Sequence, residues 1–319
     1  MSRAHKNPAW LKQAISIGAD FKIDRSRLYV HNLRNLFSLG LLLCTIGFLL
    51  CLGVWLDPWL HILVASPFLG MAFMGLLFLV LHEGSHSMYL VSSDRKRTKK
   101  LNWLFGSAIG ALAGINYPHH WEKGHLVHHA RPMEDDDPQS HNCTTGAELV
   151  KRIIPAILIP GWSMGTRVFS KVNRDRGSSS KPALIAFAII WSTVMILGWQ
   201  WIGWSGLIAW TLGFGWLTAL NELKGGLEHG GAMAEEDHYL FRSRSTVFPL
   251  VSIVFPFNLT YHFEHHLRPD VPWYRLPEYS RAIHAVMPPE ASAAFMNRDP
   301  IAMLRNEIPA PHQHLAAQK

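Results

Sequence analysis

The chain has only three cysteines in 319 residues. Cys44 and Cys51 are seven positions apart, about 10 Å along one helix and beyond disulfide reach, and Cys143 stands alone. Disulfides and an iron–sulfur centre are therefore excluded as organising features. Charge is also scarce: 17% of residues are Asp, Glu, Lys or Arg, against 49% hydrophobic. No Lys or Arg lies between Arg34 and Arg95, nor any between Lys181 and Lys224. No Gly-x-Gly-x-x-Gly opens a helix and no His-Pro-Gly-Gly haem signature occurs, so the chain carries no redox cofactor motif of its own. Internal repeats beyond two apolar hairpins are missing too.

What the chain does have is apolar length. Each Lys/Arg-free gap holds two stretches of about 20 residues joined by a tight turn, enough for two membrane crossings. The pattern predicts helices near 36–56, 59–81, 183–201 and 204–222. The turns Asp57-Pro58-Trp59 and Gly198–Gly203 lack positive charge, while the flanking segments are rich in it. By the positive-inside rule the turns face outward and both termini lie in the cytoplasm. The expected fold is an all-α integral membrane protein with four transmembrane helices in two hairpins and a cytoplasmic cap. Residues 1–35 read as a basic segment lying on the membrane surface, 36–280 as the membrane domain and 281–319 as a cytoplasmic tail. The apolar stretches 101–117, 153–169 and 246–260 are too short or too interrupted by proline to span, and are placed in the interface or around the site.

Three histidine clusters stand beside these apolar runs: His82-Glu-Gly-Ser-His86, His125-Leu-Val-His128-His129 and His262-Phe-Glu-His265-His266. Positions three and four apart share a helix face, so each cluster can aim several imidazoles at one point. The predicted topology brings all three to the cytoplasmic side. His229, in Leu227-Glu-His-Gly-Gly231, follows the fourth span and joins them as a ninth ligand. One metal takes about four to six ligands, so two ions divided among these histidines is the economical reading, with iron leading because a redox pair on neutral ligands can activate oxygen. His61 is excluded, lying about 30 Å from His82 along its helix. His5, His31, His284, His312 and His314 lie in polar or terminal segments and are expected to be solvated. His119 and His120 precede the second cluster and suit either a position behind the ligands or the membrane interface. Asn258 can hold a metal-bound water, orient a ligand, or cap the helix of the third cluster.

Two rival readings use less of the pattern. His82-Glu83-x-x-His86 satisfies the short zinc-protease motif, in which the glutamate activates a zinc-bound water, but leaves most of the clustered histidines without a task. A metal transporter needs ionisable groups inside its spans, and few are present.

The order of the three clusters, Glu228-His229-Gly230, Asp137-Pro138 after the second cluster and the stretch Asn258–Pro277 with its spaced prolines resemble the membrane fatty acid desaturases and their hydroxylase relatives. The resemblance covers roughly residues 36–280. It implies two iron ions held by His82, His86, His125, His128, His129, His229, His262, His265 and His266, with oxygen as co-substrate. Glu122, Glu228, Glu264 and Asp135 to Asp137 are candidates to orient the rings by accepting their distal N–H. Arg268 departs from relatives that carry an aromatic residue there, which puts a local substrate or partner contact in question. The implied reaction attacks an unactivated C–H bond, giving an alkene or, if oxygen is retained, an alcohol or ketone. A lipid acyl chain is the first choice of substrate, with carotenoids, alkanes, sterols and sphingolipids open; Pro272-Trp273 also occurs in relatives that oxidise carotenoid rings. Two electrons per turnover must come from outside, from a ferredoxin or a cytochrome b5 type donor with its reductase. The net charge of +7 would steer an acidic donor toward the cytoplasmic face. No nucleic-acid partner is expected.

Overall fold

The computed structural model describes residues 8–112, 115–139, 145–159, 181–231 and 236–301; the side chains of His119, His120 and several positions in 181–194 lie outside that description. The protein is mostly helical and divides into two compact units. One comprises 27–126 and 151–222, the other 1–26, 127–150 and 223–319.

The first unit is built on long apolar helices. Helix α2 (Leu28–Cys51) ends in a tight 3-10 turn, and α3 (Pro58–Leu76) begins after Asp57. The Asp57 carboxylate accepts from the backbone N–H of Trp59 and Leu60, and Pro58 occupies the first helical position, where no N–H is needed. The stretches Ala9–Val54 and Pro58–Ser85 are long and apolar enough to cross a membrane, by length and composition. The later helix Lys181–His229, α7 here, is interrupted at Gly203, whose φ of 66° leaves the helical region. Leu207 lies 3.2 Å from the position a Gly198 Cβ would take, nine residues earlier in the chain. An unbroken helix would put about 13 Å between these residues, so the axis bends sharply at Gly203.

Close contact fixes α7 against α3. Phe73 stacks on Phe214 at 4.5 Å and meets Trp210 edge-on at 4.9 Å. A Cβ on Gly70 would sit 2.3 Å from the Trp216 Cβ, so the helices approach where a side chain is missing. Among these apolar surfaces His61 is fully buried. Its Nε2–H donates to the Leu49 carbonyl at 3.0 Å, which leaves Nδ1 to accept from the Ser205 hydroxyl at 3.1 Å. His61 thus pins three helical segments together and has no part in the clusters, in line with its exclusion above.

In the same unit α3 runs on into a π-helical segment, Leu77–His82, and one further helical turn, Glu83–Ser85. The chain then turns back through Ser87, with φ of 59°, toward α4 (Arg95–Leu112). The connecting loop is held by α2. His31 bonds to the Met88 carbonyl at 2.6 Å, Asn35 donates to Tyr89 O at 2.7 Å, and Asn32 bonds both polar groups of the Val91 backbone at 2.8 Å. His31 is therefore buried and engaged, against the solvated state expected from its polar neighbourhood; its i, i+4 partner Asn35 carried the signal. A second π-helical segment, Pro118–Lys123, precedes α5 (Gly124–Ala130), and α6 (Gly146–Leu158) follows.

The other unit packs short helices: α1 (Ala9–Ile17), α8 (Val251–Val254), α9 (His262–Leu267), α10 (Leu276–His284) and α11 (Pro289–Phe295). Ser245–Thr246 pairs in parallel with Met296–Asn297. Its core is aromatic: Phe263 stacks on Phe295 at 4.2 Å, and Trp10 stacks on Phe241 at 5.8 Å. Tyr279 donates to the Ala14 carbonyl at 3.0 Å, fastening α1 beside α10.

Candidate metal centre

The first histidine cluster forms at the end of α3. Ser85 donates to the His82 carbonyl at 2.6 Å, and the Ser87 and Met88 N–H groups bond back to Gly84 and Glu83, closing the turn that presents His86. The His82, His86 and His125 rings lie 4.6 to 5.1 Å apart, centroid to centroid, with His125 Nε2 3.0 Å from His86 Nε2. Trp121 packs against His82 and His125 at 6.0 and 5.2 Å. The backbone under this triad is tight. A Cβ on Gly84 would meet the Tyr117 hydroxyl at 3.1 Å, and Tyr117 itself fills notches left by Gly106 and Gly110.

On α5, His125 and His129 are one turn apart on one face, while His128 is rotated about 60° from the first and about 100° from the second. His128, His229, His262 and His266 form a second group, all buried, whose ligand nitrogens lie within 4.8 Å of one another. His229 Nε2 is 2.7 Å and His266 Nε2 3.1 Å from His262 Nε2. A metal bound at about 2.1 Å to imidazole places adjacent ligand nitrogens about 3 Å apart, so these four have the spacing of a coordination shell. Nitrogen lone pairs gathered this closely repel one another unless a proton or a cation lies between them. His129 and His265 make a further pair, Nε2 to Nε2 at 3.0 Å.

The far nitrogens of His128 and His229 are held as those of metal ligands usually are. His229 Nδ1–H donates to the Arg242 carbonyl at 2.7 Å. The Arg242 guanidinium in turn reaches Pro132 O and Glu134, both at 3.1 Å, tying the His229 support to the segment after α5. His128 Nδ1–H donates to Asp137 at 2.9 Å, and the same carboxylate accepts from the Met133 and Gln139 backbone N–H at 2.9 and 2.8 Å. Burial opposes the charge on Asp137, yet the His128 ring and the two backbone donors hold its carboxyl far below the usual carboxylate range. Glu228 lies 3.4 Å from His262 Nδ1 and is also paired with Lys224 one turn back. Burial, reinforced by Lys224 and the neighbouring imidazoles, pushes His262 well below the ordinary histidine value, leaving it in the neutral form that binds metal.

Other residues singled out in the sequence have different places. Glu264 is fully buried but does not turn toward the rings: it accepts from Ser245, from Ser280 at 2.6 Å and from His284 Nε2 at 3.1 Å. It anchors α9 to its neighbours, and His284, expected to be solvated, is its partner. Asn258 adopts φ of 56° and donates to the Trp273 carbonyl at 3.3 Å, before the helix of the third cluster. Arg268 clamps α1: it makes two bonds to Asp270, at 2.7 and 2.9 Å, and donates to the Ile15 carbonyl at 2.7 Å. Lys22 joins the same carboxylate at 3.0 Å. The ring of His120 lies outside the described residues. Tyr117, Trp121 and Arg242 were missed in the sequence, because nothing in their spacing marks them; the pairs of glycines facing Tyr117 were the only trace.

Residues 57–297, well over half of the chain, match the profile of a family described as fatty acid desaturase. No curated protein matches the chain.

Proposed function

Because the chain belongs to the fatty acid desaturase family, we propose that it is an oxygen-dependent di-iron oxidase acting on an unactivated lipid C–H bond, with fatty acyl desaturation as its reaction. The observation that carries this reading is the group His128, His229, His262 and His266, four buried imidazoles at coordination spacing, with the far nitrogens of His128 and His229 held by Asp137 and the Arg242 carbonyl and Glu228 3.4 Å from that of His262. These hold one iron. The remaining donors expected for a second iron are His82, His86 and His125 in one unit and the His129–His265 pair in the other; neutral imidazole donors suit iron. Bound iron supplies the oxygen activation that a saturated C–H bond requires and that no acid or base side chain provides.

The chain's own part is placement. Asp137 and the Arg242 carbonyl fix the tautomers of His128 and His229, so that Nε2 presents its lone pair to the metal. Trp121 lines the first cluster with an apolar face that excludes water. Whether a second hydrogen is lost or oxygen is retained depends on where the substrate carbon lies relative to the irons, so hydroxylation or ketolation of a lipid, carotenoid or alkane is the alternative outcome at the same site.

Four crossings complete the proposal. The exposed apolar residues of α2, among them Leu33, Phe37, Leu41 and Phe48, want a lipid environment. The bend at Gly203 supports a second hairpin, with both turns outward and the histidines in the cytoplasm. Electrons come from a separate ferredoxin or cytochrome b5 type donor.

Two measurements test this. Purified protein should contain about two irons per chain. Expression in a host poor in desaturases should yield extracted lipids lacking two hydrogens. A gain of one oxygen instead selects the alternative, and zinc in place of iron, or unchanged lipids with an electron donor supplied, rejects the oxidase.

A further inference from the structure

The exposed face of α4 changes character along its length. Arg95, Lys96, Arg97, Lys99 and Lys100 are all exposed, while Thr98, Asn102, Gly106, Ile109 and Gly110 are buried on the opposite side. Following the exposed stripe at helical spacing, Lys96, Lys99 and Lys100 lead into Trp103 and Leu104, which are 47% and 53% exposed. Cations thus give way to an exposed indole and leucine within about 12 Å.

The cations do nothing for the helix itself. They occupy its first turns, where the helix dipole is positive and acidic residues stabilise. Asp94 alone supplies an acceptor there, to the Lys96 N–H at 2.8 Å. Among the described residues none of the five makes an ion pair. The inward side of α4 is by contrast firmly held: Asn102 bonds the Tyr89 and Leu90 N–H groups at 3.0 and 3.2 Å and the Leu90 carbonyl at 2.7 Å. That same loop is tied to α2 by His31, Asn32 and Asn35. The cationic turns are therefore fixed near the first turns of α2, where Tyr29, Leu33 and Phe37 begin the exposed apolar surface.

We propose that the exposed stripe of α4 from Lys96 to Leu104 is a binding surface for anionic phospholipid headgroups, the cations on the phosphates and Trp103 with Leu104 at the acyl boundary. A basic face continuing into exposed aromatic and aliphatic residues, beside the exposed apolar start of α2, is the pattern of a helix lying in a charged leaflet. The inference rests on the membrane reading given above.

The test uses the full chain, purified in mild detergent with its iron content measured. Phosphatidylglycerol and phosphatidylcholine are titrated separately and bound lipid is counted by native mass spectrometry. The wild type should prefer phosphatidylglycerol. The variant carrying Lys96→Gln, Arg97→Gln, Lys99→Gln and Lys100→Gln should keep its iron and bind that lipid about tenfold or more weakly, and raised salt should weaken the wild type in the same direction. If this variant loses its iron through misfolding, Lys99→Gln and Lys100→Gln singly should each give a smaller loss, and Trp103→Ser should weaken both lipids. Equal affinity for the two lipids, or an unchanged preference in the iron-loaded variants, overturns the proposal. Intact lipid binding with slowed turnover by an acidic electron donor assigns the cations to that donor and also overturns it. Recovery of the chain in the aqueous fraction without detergent would instead defeat the membrane reading itself.

Discussion

Replacing Asp137 by Asn should weaken iron binding while leaving the fold in place. The carboxylate accepts three hydrogen bonds, from His128 Nδ1 and from the Met133 and Gln139 backbone N–H. Asparagine keeps the size but only one acceptor oxygen, whereas one Asp137 oxygen serves His128 and Met133 and the other serves Gln139. Its NH2 must therefore face either the Gln139 N–H or both the His128 and Met133 N–H groups, and in either case the negative charge that fixes the His128 ring with Nε2 toward the metal is gone. Loss of such an outer partner costs about 10- to 100-fold in metal affinity, or about 1.4–2.8 kcal/mol. Asp137→Ala differs in kind, because it strands two buried N–H groups at about 1–3 kcal/mol each and should lower the melting temperature as well. Chelator competition monitored by iron content, beside thermal unfolding of the same samples, separates the two. The pH course carries a sign. The Asp137 pKa is depressed in the folded state, so its contribution is complete above the unfolded value near 4 and fades only as pH falls through the lower folded value. Iron lost between about pH 6 and 5 therefore does not come from titration of Asp137. Wild-type chelator resistance in Asp137→Asn would refute the orienting role.

Arg268→Ala should free α1 from α9, since the guanidinium holds both Asp270 and the Ile15 carbonyl; faster proteolysis before residue 27 with iron retained is the expected result. Gly84→Ala places a methyl 3.1 Å from the Tyr117 hydroxyl and should lower iron occupancy, and Tyr117→Phe in the same chain should restore part of it. Glu264→Ala strands the Ser245 and Ser280 hydroxyls and His284 around a buried hole, so unfolding should be easier by about 3 kcal/mol or more, with His284→Ala costing less. Gly203→Ala puts a side chain at φ of 66° and should destabilise by about 1 kcal/mol, read as a lower melting temperature in detergent.

The long helices and the clustered histidines were legible because each has a strong local signature. Apolar length marks a helix whatever it packs on, and imidazoles three or four residues apart share a face in any helix. His128 and His229, 101 residues apart in sequence, come together at a ring separation of 4.7 Å, and only the expectation that both lie at one membrane face pointed to it. Contacts that depend on tertiary approach left little trace. His31 and His284 resemble solvated histidines in their polar neighbourhoods, yet His31 closes a buried bond to a segment 57 residues away and His284 a part-buried one to a carboxylate 20 residues away. Glu264 sits between ligands and was read as their support, but its carboxylate leaves the opposite side of a six-residue helix whose every side chain is buried. Such a helix has no polar face from which direction can be inferred.

The π-helical segments explain a further gap between pattern and site. Leu77–His82 and Pro118–Lys123 each run directly into a histidine cluster. A wide turn takes in one more residue than an α-turn, rotating everything after it by about 100° relative to the incoming helix. For α3 this separates two demands on one continuous rod. The stretch up to Leu76 is positioned by its packing on α7 through Gly70 and Phe73, and the wide turn then re-aims His82 without disturbing that register. A periodicity projected from the apolar run carries no information about which way His82 points, because the helix that sets the period ends before the ligand begins. Distances within each group of rings, and not helical faces extended from the spans, are accordingly the sound basis for reading which histidines can share an ion.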